Sequence, residues 1–472
     1  MKRAIMVLLL CGLLILVVVD CRGSNHKDHG SNGSDDDSAD DDLADDDSLG
    51  YVPLLDDQGR TLIIHGANYM GLESGGDYHK LEDYQRMASW GFNVVRVPIG
   101  WSRFEPEQGV WDESYLTDVI APVVGFAHKA GIRIILDLHQ YNWCSDYGGE
   151  GIPNWICDKF ADLPYPINFL MGSGDFWNHP EYLDDFVEFW NRISKYFAGE
   201  PAIFAYDLFN EPIAGAKTLP WLGENVALRP LYVRAIDAIR ANDAAPYIMI
   251  EPIVINVAGF PFVMDPIKAD KLIYSPHLYP NNIVNRQSGY DFPEELIQRF
   301  MEKWLYESNT FGAPLFVGET GIQSAKYGAE RFNENTTRLF DQFFSGWAWW
   351  AYGFDDDSMG LLDSQGREKD VFMNYLIRPY PQATAGALRG FSFDVDKAVF
   401  SMSFDTISGM DPSVEIYVPT ERHYTGGFTI ECTDPEGSWS SEYDQDTGML
   451  HVACDPGTAS HAITIIKKEA RD

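Results

Sequence analysis

Apolar and polar positions follow a recurring order along most of this chain. Short, almost wholly apolar runs fall at Leu62–His65, Asn93–Val97, Ile132–Leu138, Ile203–Phe209, Tyr247–Glu251, Lys271–Ser275, Pro314–Val317 and Gly346–Ala351. Stretches with helical periodicity lie between them, clearest at Tyr182–Phe197, Leu231–Ala241 and Glu294–Phe311. Runs that are apolar on both faces suit parallel strands buried on both sides. Eight strand–helix units in about 320 residues predict a (β/α)8 TIM barrel, with an open doubly wound sheet as the alternative. No Gly-x-Gly-x-x-Gly follows the first run and no phosphate-cradling loop with Lys is present, which disfavours a nucleotide-binding open sheet.

After Tyr380 the texture changes. Phe391–Asp394, Ala398–Phe404, Val414–Val418, Gly427–Cys432, Met449–Ala453 and Ala462–Lys467 are short alternating runs divided by Gly, Pro and Asp. That spacing predicts a small C-terminal antiparallel β-sandwich over 381–472, with the barrel over 51–380.

The first fifty residues belong to neither. Lys2 and Arg3 precede an apolar run from Ala4 to Val19, as in a secretory signal over residues 1–20, and the run is short for a membrane span. Cys21 follows directly, an arrangement resembling a bacterial lipoprotein, although Asp20 stands where that pattern has a small residue. Residues 21–50 are rich in Asp, Ser and Gly, including the triplets Asp35–Asp37, Asp40–Asp42 and Asp45–Asp47. Like charges at this density repel and leave a solvated linker. A secreted or cell-surface bacterial protein, with a possible membrane tether through Cys21, is the expectation. The four cysteines after Cys21 form local pairs, Cys144/Cys157 and Cys432/Cys454, without metal-type spacing, and are expected as two disulfides.

Composition narrows the partners. The chain has 71 acidic against 35 basic residues, a net charge of −36, and 14% aromatic residues. Such an acidic body repels phosphate backbones, so nucleic acid is excluded as a partner. A monomer is expected.

Candidate chemistry sits where polar residues end the apolar runs: Arg96; Asp137 and His139; Asn210 and Glu211; His277 and Tyr279; Glu319; Trp349 and Trp350. In a parallel barrel these ends open on one face, so Glu211 and Glu319 would flank one cavity. Two carboxylates are what acetal cleavage needs: one protonates the leaving oxygen while the other attacks or activates water. Asp137 is expected to be structural, and Glu251 ends the fifth run without an assignable role.

Asn210-Glu211-Pro212 in "AYDLFNEP", Glu319 in "VGETG", and "VVRVPIGW", "ILDLHQ", "SPHLYP" and "WAWWAYG" occur in the order and spacing of glycoside hydrolase family 5, which residues 60–360 resemble. "IRPYPQATAG" (Ile377–Gly386) and "FWNHPEYLDDFVEFWNRIS" are similar to the endoglycoceramidase branch, whose members also end in a β-sandwich. The resemblance implies a retaining double displacement, with Glu211 as acid/base and Glu319 as nucleophile. It implies that Tyr279 bonds the nucleophile, His277 orients the acid/base, His139 and Asn210 hold sugar hydroxyls, and Trp350 is the sugar platform. Arg96 is expected to keep Glu319 ionised, while burial and the charge of Glu319 keep Glu211 protonated. No metal or organic cofactor is implied.

The substrate implied is a glycolipid or oligosaccharide, first of all the glycan–ceramide bond of glycosphingolipids. The long segment Gly148–Trp177, rich in Pro, Gly and aromatics, could border a lipid groove. Tyr141 stands where endoglycoceramidases often carry an acidic residue for the second sugar, which leaves glucosylceramide or steryl glucosides open. Endo-β-1,4-glucanase or mannanase activity is the alternative. A tethered carbohydrate-binding protein with an inactive site is the non-enzyme alternative.

Overall fold

The computed structural model describes residues 50–213, 223–280 and 289–468, so the expected signal sequence, Cys21 and the expected linker before Gly50 lie outside the described residues. The barrel strands are β2 (His65–Asn68), β3 (Val94–Ile99), β4 (Arg133–Leu138), β5 (Ile203–Asp207), β6 (Tyr247–Ile250), β7 (Leu272–Tyr274), β8 (His277–Leu278), β9 (Phe316–Thr320) and β10 (Gly346–Trp349). A two-residue strand, β1 (Thr61–Leu62), precedes them. All barrel pairings are parallel, and β10 returns to β2 with Trp347 opposite His65. β7 and β8 are one barrel strand broken at Ser275-Pro276, where proline has no N–H to give the ladder. Its upper half pairs with β9, His277 opposite Glu319, and Tyr274 bridges to Leu315 below the break. The sheet is therefore an eight-stranded closed barrel.

Two steps along each strand decide where chemistry can occur. Val94, Ile135, Ala205, Met249, Ile273 and Ala348 meet in one buried apolar cluster inside the barrel. Two residues further along the same strands come Arg96, Asp137, Asp207, Glu251, Ser275 and Trp350. Because side chains repeat every second residue in a strand, these occupy the same face one layer higher. The interior thus has an apolar floor and a polar upper end. The helices outside carry matching stripes: Phe186, Phe189, Trp190 and Ile193 of the Pro180–Tyr196 helix are buried against the sheet.

The C-terminal residues form a sandwich of two antiparallel sheets. One contains β11 (Tyr380–Ala385), β14 (Ser413–Tyr417), β16 (Ser440–Asp444) and β17 (Met449–Ala453); the other contains β12 (Ala387–Asp394), β13 (Val399–Asp405), β15 (Phe428–Cys432) and β18 (Ser460–Lys467). β1 joins the first sheet, with Leu62 opposite Ala383. The expected first strand at Leu62–His65 is therefore divided between sandwich and barrel. Leu54, Leu62 and Ala383 pack on the barrel's apolar floor, so this sheet closes the end away from the polar residues. Gly91, at φ 79°, lies beneath the Tyr417 ring, where any Cβ would come within 2.3 Å of ring carbon. Tyr380 Oη donates to its carbonyl at 2.6 Å.

The two cysteine pairs differ. Cys144 and Cys157 are bonded, across a separation of 13 residues. Contrary to expectation, Cys432 and Cys454 are free thiols. They lie at the ends of β15 and β17 in opposite sheets, and their sulfurs stay within 4.8 Å, a thiol contact rather than a bond of about 2.05 Å.

The segment following β6 is clasped by two buried carboxylates. Glu224 accepts from the Val263 N–H at 2.6 Å, and Glu307 from the Phe262 N–H at 2.7 Å and Tyr274 Oη at 2.6 Å. Burial, with Glu307 nearby, pushes Glu224 up to about 7. Between its unfolded value and 7 the native state holds a proton that the unfolded chain has released. That contribution to stability is full below the unfolded pKa and is lost as pH rises through 7. Thermal melts at pH 5 and pH 8 should show the wild type losing more stability than Glu224→Gln; parallel losses would disprove the assignment.

Candidate active site

Arg96 organises the polar end of the barrel. It is fully buried, and its five N–H donors are all engaged. Nε donates to Asp207 at 2.8 Å; Nη1 to Asn68 Oδ1 at 2.9 Å and Glu319 at 2.8 Å; Nη2 to Asn210 Oδ1 at 3.0 Å and Glu251 at 2.9 Å. Asp137 completes the ring at 3.1 Å. The planar guanidinium matches so many acceptors as no lysine could. Burial, reinforced by the Glu251 charge, pushes Asp207 well above the ordinary carboxylate range, against the pull of Arg96.

The eight residues singled out in the sequence meet here. Glu319 also accepts from Tyr279 Oη at 3.2 Å. His277 Nδ1 lies 3.1 Å from Glu211 Oε1 and 3.7 Å from Glu319. His139 Nδ1 contacts Asp137 at 2.7 Å, and its ring stacks on Trp350, centroids 5.5 Å apart. Trp350 is partly exposed, whereas Trp349 is buried with its Nε1 donating to the Met359 carbonyl. Carboxylate oxygens of Glu211 and Glu319 come within 4.8 Å of each other. That is the close separation of retaining glycosidases, whose second carboxylate attacks directly; inverting sites hold theirs about 6.5–9.5 Å apart to admit a water.

Glu211 is held in an unusual backbone conformation, φ 41°. Its N–H donates to Glu251 at 2.7 Å and its carbonyl accepts from Gln140 Nε2 at 3.0 Å. A non-glycine residue persists at such a φ only where its surroundings impose it. Asn68, Gln140, Asp207 and Glu251 thus build the site without having been singled out in that role. The available signal was their position, in or beside the layer that follows the apolar floor.

The charges depart from expectation at one point. Burial works against a charged His139, but Asp137 outweighs it and lifts the ring to about 9. Burial is likewise overcome at His277, where Glu251, Glu319 and Glu211 hold the proton well above the ordinary range. Burial raises both carboxyls, yet the hydrogen bond and charge of His277 bring Glu211 below its ordinary value, while Glu319 stays above its own. The expected order was the reverse, because His277 was not counted as a cation. Glu211, Glu319 and His277 therefore titrate together rather than one by one.

Two further surfaces involve the segment that follows β4. A cavity of about 470 Å³ is lined by Glu73, Ser102, Arg103, Glu150 and Asn154, near His139. The Ile167–Phe176 helix exposes Ile167, Leu170 and Met171 on one face, and Leu163 just before it is also exposed. Trp177, at the end of this helix, donates from Nε1 to the Ile213 carbonyl at 2.9 Å, two residues beyond Glu211.

A closed parallel barrel with two glutamates facing at this distance defines a glycoside hydrolase. The model of the cellulase family, glycosyl hydrolase family 5, matches residues 55–356, and the family 5 C-terminal domain matches 378–465. The chain belongs to glycosyl hydrolase family 5. It is 25% identical to endoglycoceramidase I of Rhodococcus hoagii over 414 residues, covering 80% of each chain. Endoglycoceramidase of Hydra vulgaris is 24% identical over 429 residues, 80% of this chain and 81% of that one. The structure of endo-glycoceramidase II from Rhodococcus sp. with a five-membered iminocyclitol superimposes with a TM-score of 0.79 at 26% identity, over 88% of this chain and 100% of that one. The same enzyme in complex with ganglioside GM3 gives 0.79 at 25% identity, over 89% of this chain and 100% of that one.

Proposed function

We propose that the protein is a retaining β-glycosidase that releases the glycan from ceramide in glycosphingolipids. The observation that carries this is the exposed apolar face of the Ile167–Phe176 helix, whose C-terminal end is tied through Trp177 to Ile213, two residues beyond Glu211. Glu211 serves the leaving group, and the helix tied to its segment offers an apolar face suited to a lipid aglycone. The polar cavity near His139 suits the glycan instead. Likeness to endoglycoceramidases over both the barrel and the sandwich supports the same assignment.

In the first half-reaction Glu319 attacks the anomeric carbon from one face while Glu211 protonates the departing oxygen on the other. Water then enters on the vacated side, and Glu211 removes its proton. Arg96 and Tyr279 hold the nucleophile, and Trp350 lies under the sugar. Export by the N-terminal leader, with lipidation of Cys21, would place this site outside the cell beside lipid substrates.

The test is hydrolysis of ganglioside, lactosylceramide, glucosylceramide, cellopentaose and mannopentaose by the whole chain. Intact glycan and ceramide are expected, with the fresh anomeric centre in the β configuration by NMR. Turnover of cellopentaose alone would overturn the lipid assignment. Tyr141, 45% exposed after the His139-Gln140 pair, favours a second outcome in which glucosylceramide is cleaved fastest.

A further inference from the structure

Glu251 is 1% exposed and lies too deep to touch a substrate, yet it contacts three parts of the site. Oε2 accepts the Glu211 N–H at 2.7 Å. Oε1 accepts from Arg96 Nη2 at 2.9 Å and lies 3.2 Å from His277 Nε2. Its own backbone is anchored, with its carbonyl accepting from Tyr232 Oη at 3.0 Å and Val254 N–H donating to the Pro212 carbonyl at 3.1 Å. We propose that Glu251 is a positioning residue of the acid/base step, holding the Glu211 backbone by a hydrogen bond and the far nitrogen of His277 by an ion-pair contact so that His277 Nδ1 faces the Glu211 carboxyl.

This rests on Glu211 being the acid/base. The imidazole has a carboxylate at each nitrogen, Glu251 at Nε2 and Glu211 at Nδ1, with Glu319 3.7 Å from Nδ1. The Nε2 contact is an ion pair by distance without the alignment of a hydrogen bond, so Glu251 acts on the ring through its charge, which favours the protonated imidazole. The remaining charges nearby are Arg96, paired with Asp137, Asp207, Glu251 and Glu319, and His139, paired with Asp137. Tyr279 bonds Glu319, and Tyr232 bonds the Glu251 carbonyl. Glu251 is the carboxylate that meets His277 on the side away from the reacting carboxyls. With its charge in place, His277 stays protonated and donates from Nδ1 to Glu211. As the glycosidic C–O bond breaks, the proton shared between His277 Nδ1 and Glu211 passes through the Glu211 carboxyl to the departing oxygen, leaving a Glu211 carboxylate beside a ring that Glu251 holds in place. In the second half the same carboxylate takes a proton from the water that bonds to the anomeric carbon. The Glu211 φ of 41° needs an outside constraint, and Glu251 supplies it at the amide.

The experiment compares dinitrophenyl and alkyl β-lactosides, since the first leaves without a proton and the second does not. In the full-length chain, Glu251→Gln should lower kcat/KM on the alkyl lactoside by about 100-fold or more, and on the dinitrophenyl lactoside by about tenfold at most. The basic limb of the alkyl pH profile should move about one unit to lower pH, because His277 loses its proton more readily. Glu251→Asp, which retains the charge, should restore the position of that limb. Equal losses on both substrates, or an unmoved limb, would overturn the proposal. Histidine 15N spectra of the unsubstituted protein give a measurement independent of variant folding: His277 protonated well above pH 7 is expected, and a neutral ring at pH 7 overturns it. Glu211→Ala run in parallel separates the two failures. A substrate split there with none in Glu251→Gln refutes the role of Glu251 alone, whereas no split in either refutes Glu211 as acid/base and the proposal with it.

Discussion

Glu319→Gly is expected to lower kcat on a glycolipid by about 10⁵ to 10⁶-fold, the scale seen when a covalent nucleophile is deleted. Glu319 is 5% exposed, fixed by Arg96 and Tyr279, and it faces Glu211 across the narrow gap described above. Nothing else described on that side of the gap is placed to attack. The glycine variant leaves a small space against a buried cation, which azide can fill. Azide should then restore turnover of an aryl glycoside and give the α-glycosyl azide, because the anion attacks from the face the carboxylate used. Glu211→Ala with azide should give the β product, because there the anion enters after Glu319 has formed its ester. NMR of the two azides decides the matter. A β-azide from the Glu319 variant, or wild-type turnover without azide, would show that Glu319 is not the nucleophile; glycan binding without turnover in the wild type would make the protein a lectin-like binder.

Arg96→Ala is expected to have the largest effect on stability, about 3–5 kcal/mol. The cost comes from what remains rather than from what is lost. Asp137, Asp207, Glu251 and Glu319 lie within 3.1 Å of the guanidinium, and all but Glu319 are essentially sealed from water. Without the cation they must take up protons or repel one another. Glu319 would then rise further, and kcat/KM should fall by at least about 100-fold in whatever folds. Arg96→Lys should recover only part of either loss, since an ammonium cannot match the fork. Chemical denaturation and kinetics on the same samples test this. A variant as stable as the wild type would mean that the carboxylate ring does not depend on Arg96.

Much of the fold could be read from the chain because buried parallel strands write unbroken apolar runs, and the polar residues that end them mark one face. Glu211, Glu319, His277 and Tyr279 were found in this way. β16 was not, because four of its five residues are exposed and it shows no alternation. β11 looked like a junction, since Tyr380–Ala385 contains a proline and small residues; its partner strands lie far away in sequence. Glu251 carried no motif, and its role depends on contacts with Arg96, His277 and the Glu211 amide that no local pattern records. The charge of His277 was missed for the same reason: it arises from three carboxylates on three different strand ends.

β1 carries a consequence for how this polypeptide can be handled and how it matures. The two residues belong to a sheet completed hundreds of positions later, so the underside of the barrel stays open until nearly the whole chain has left the ribosome. A truncation that removes the sandwich would uncover Leu54, Leu62 and Ile64 and yield a sticky, chaperone-dependent product rather than a minimal enzyme. Grafting this C-terminal module onto another barrel would likewise require carrying Thr61 and Leu62 along with it.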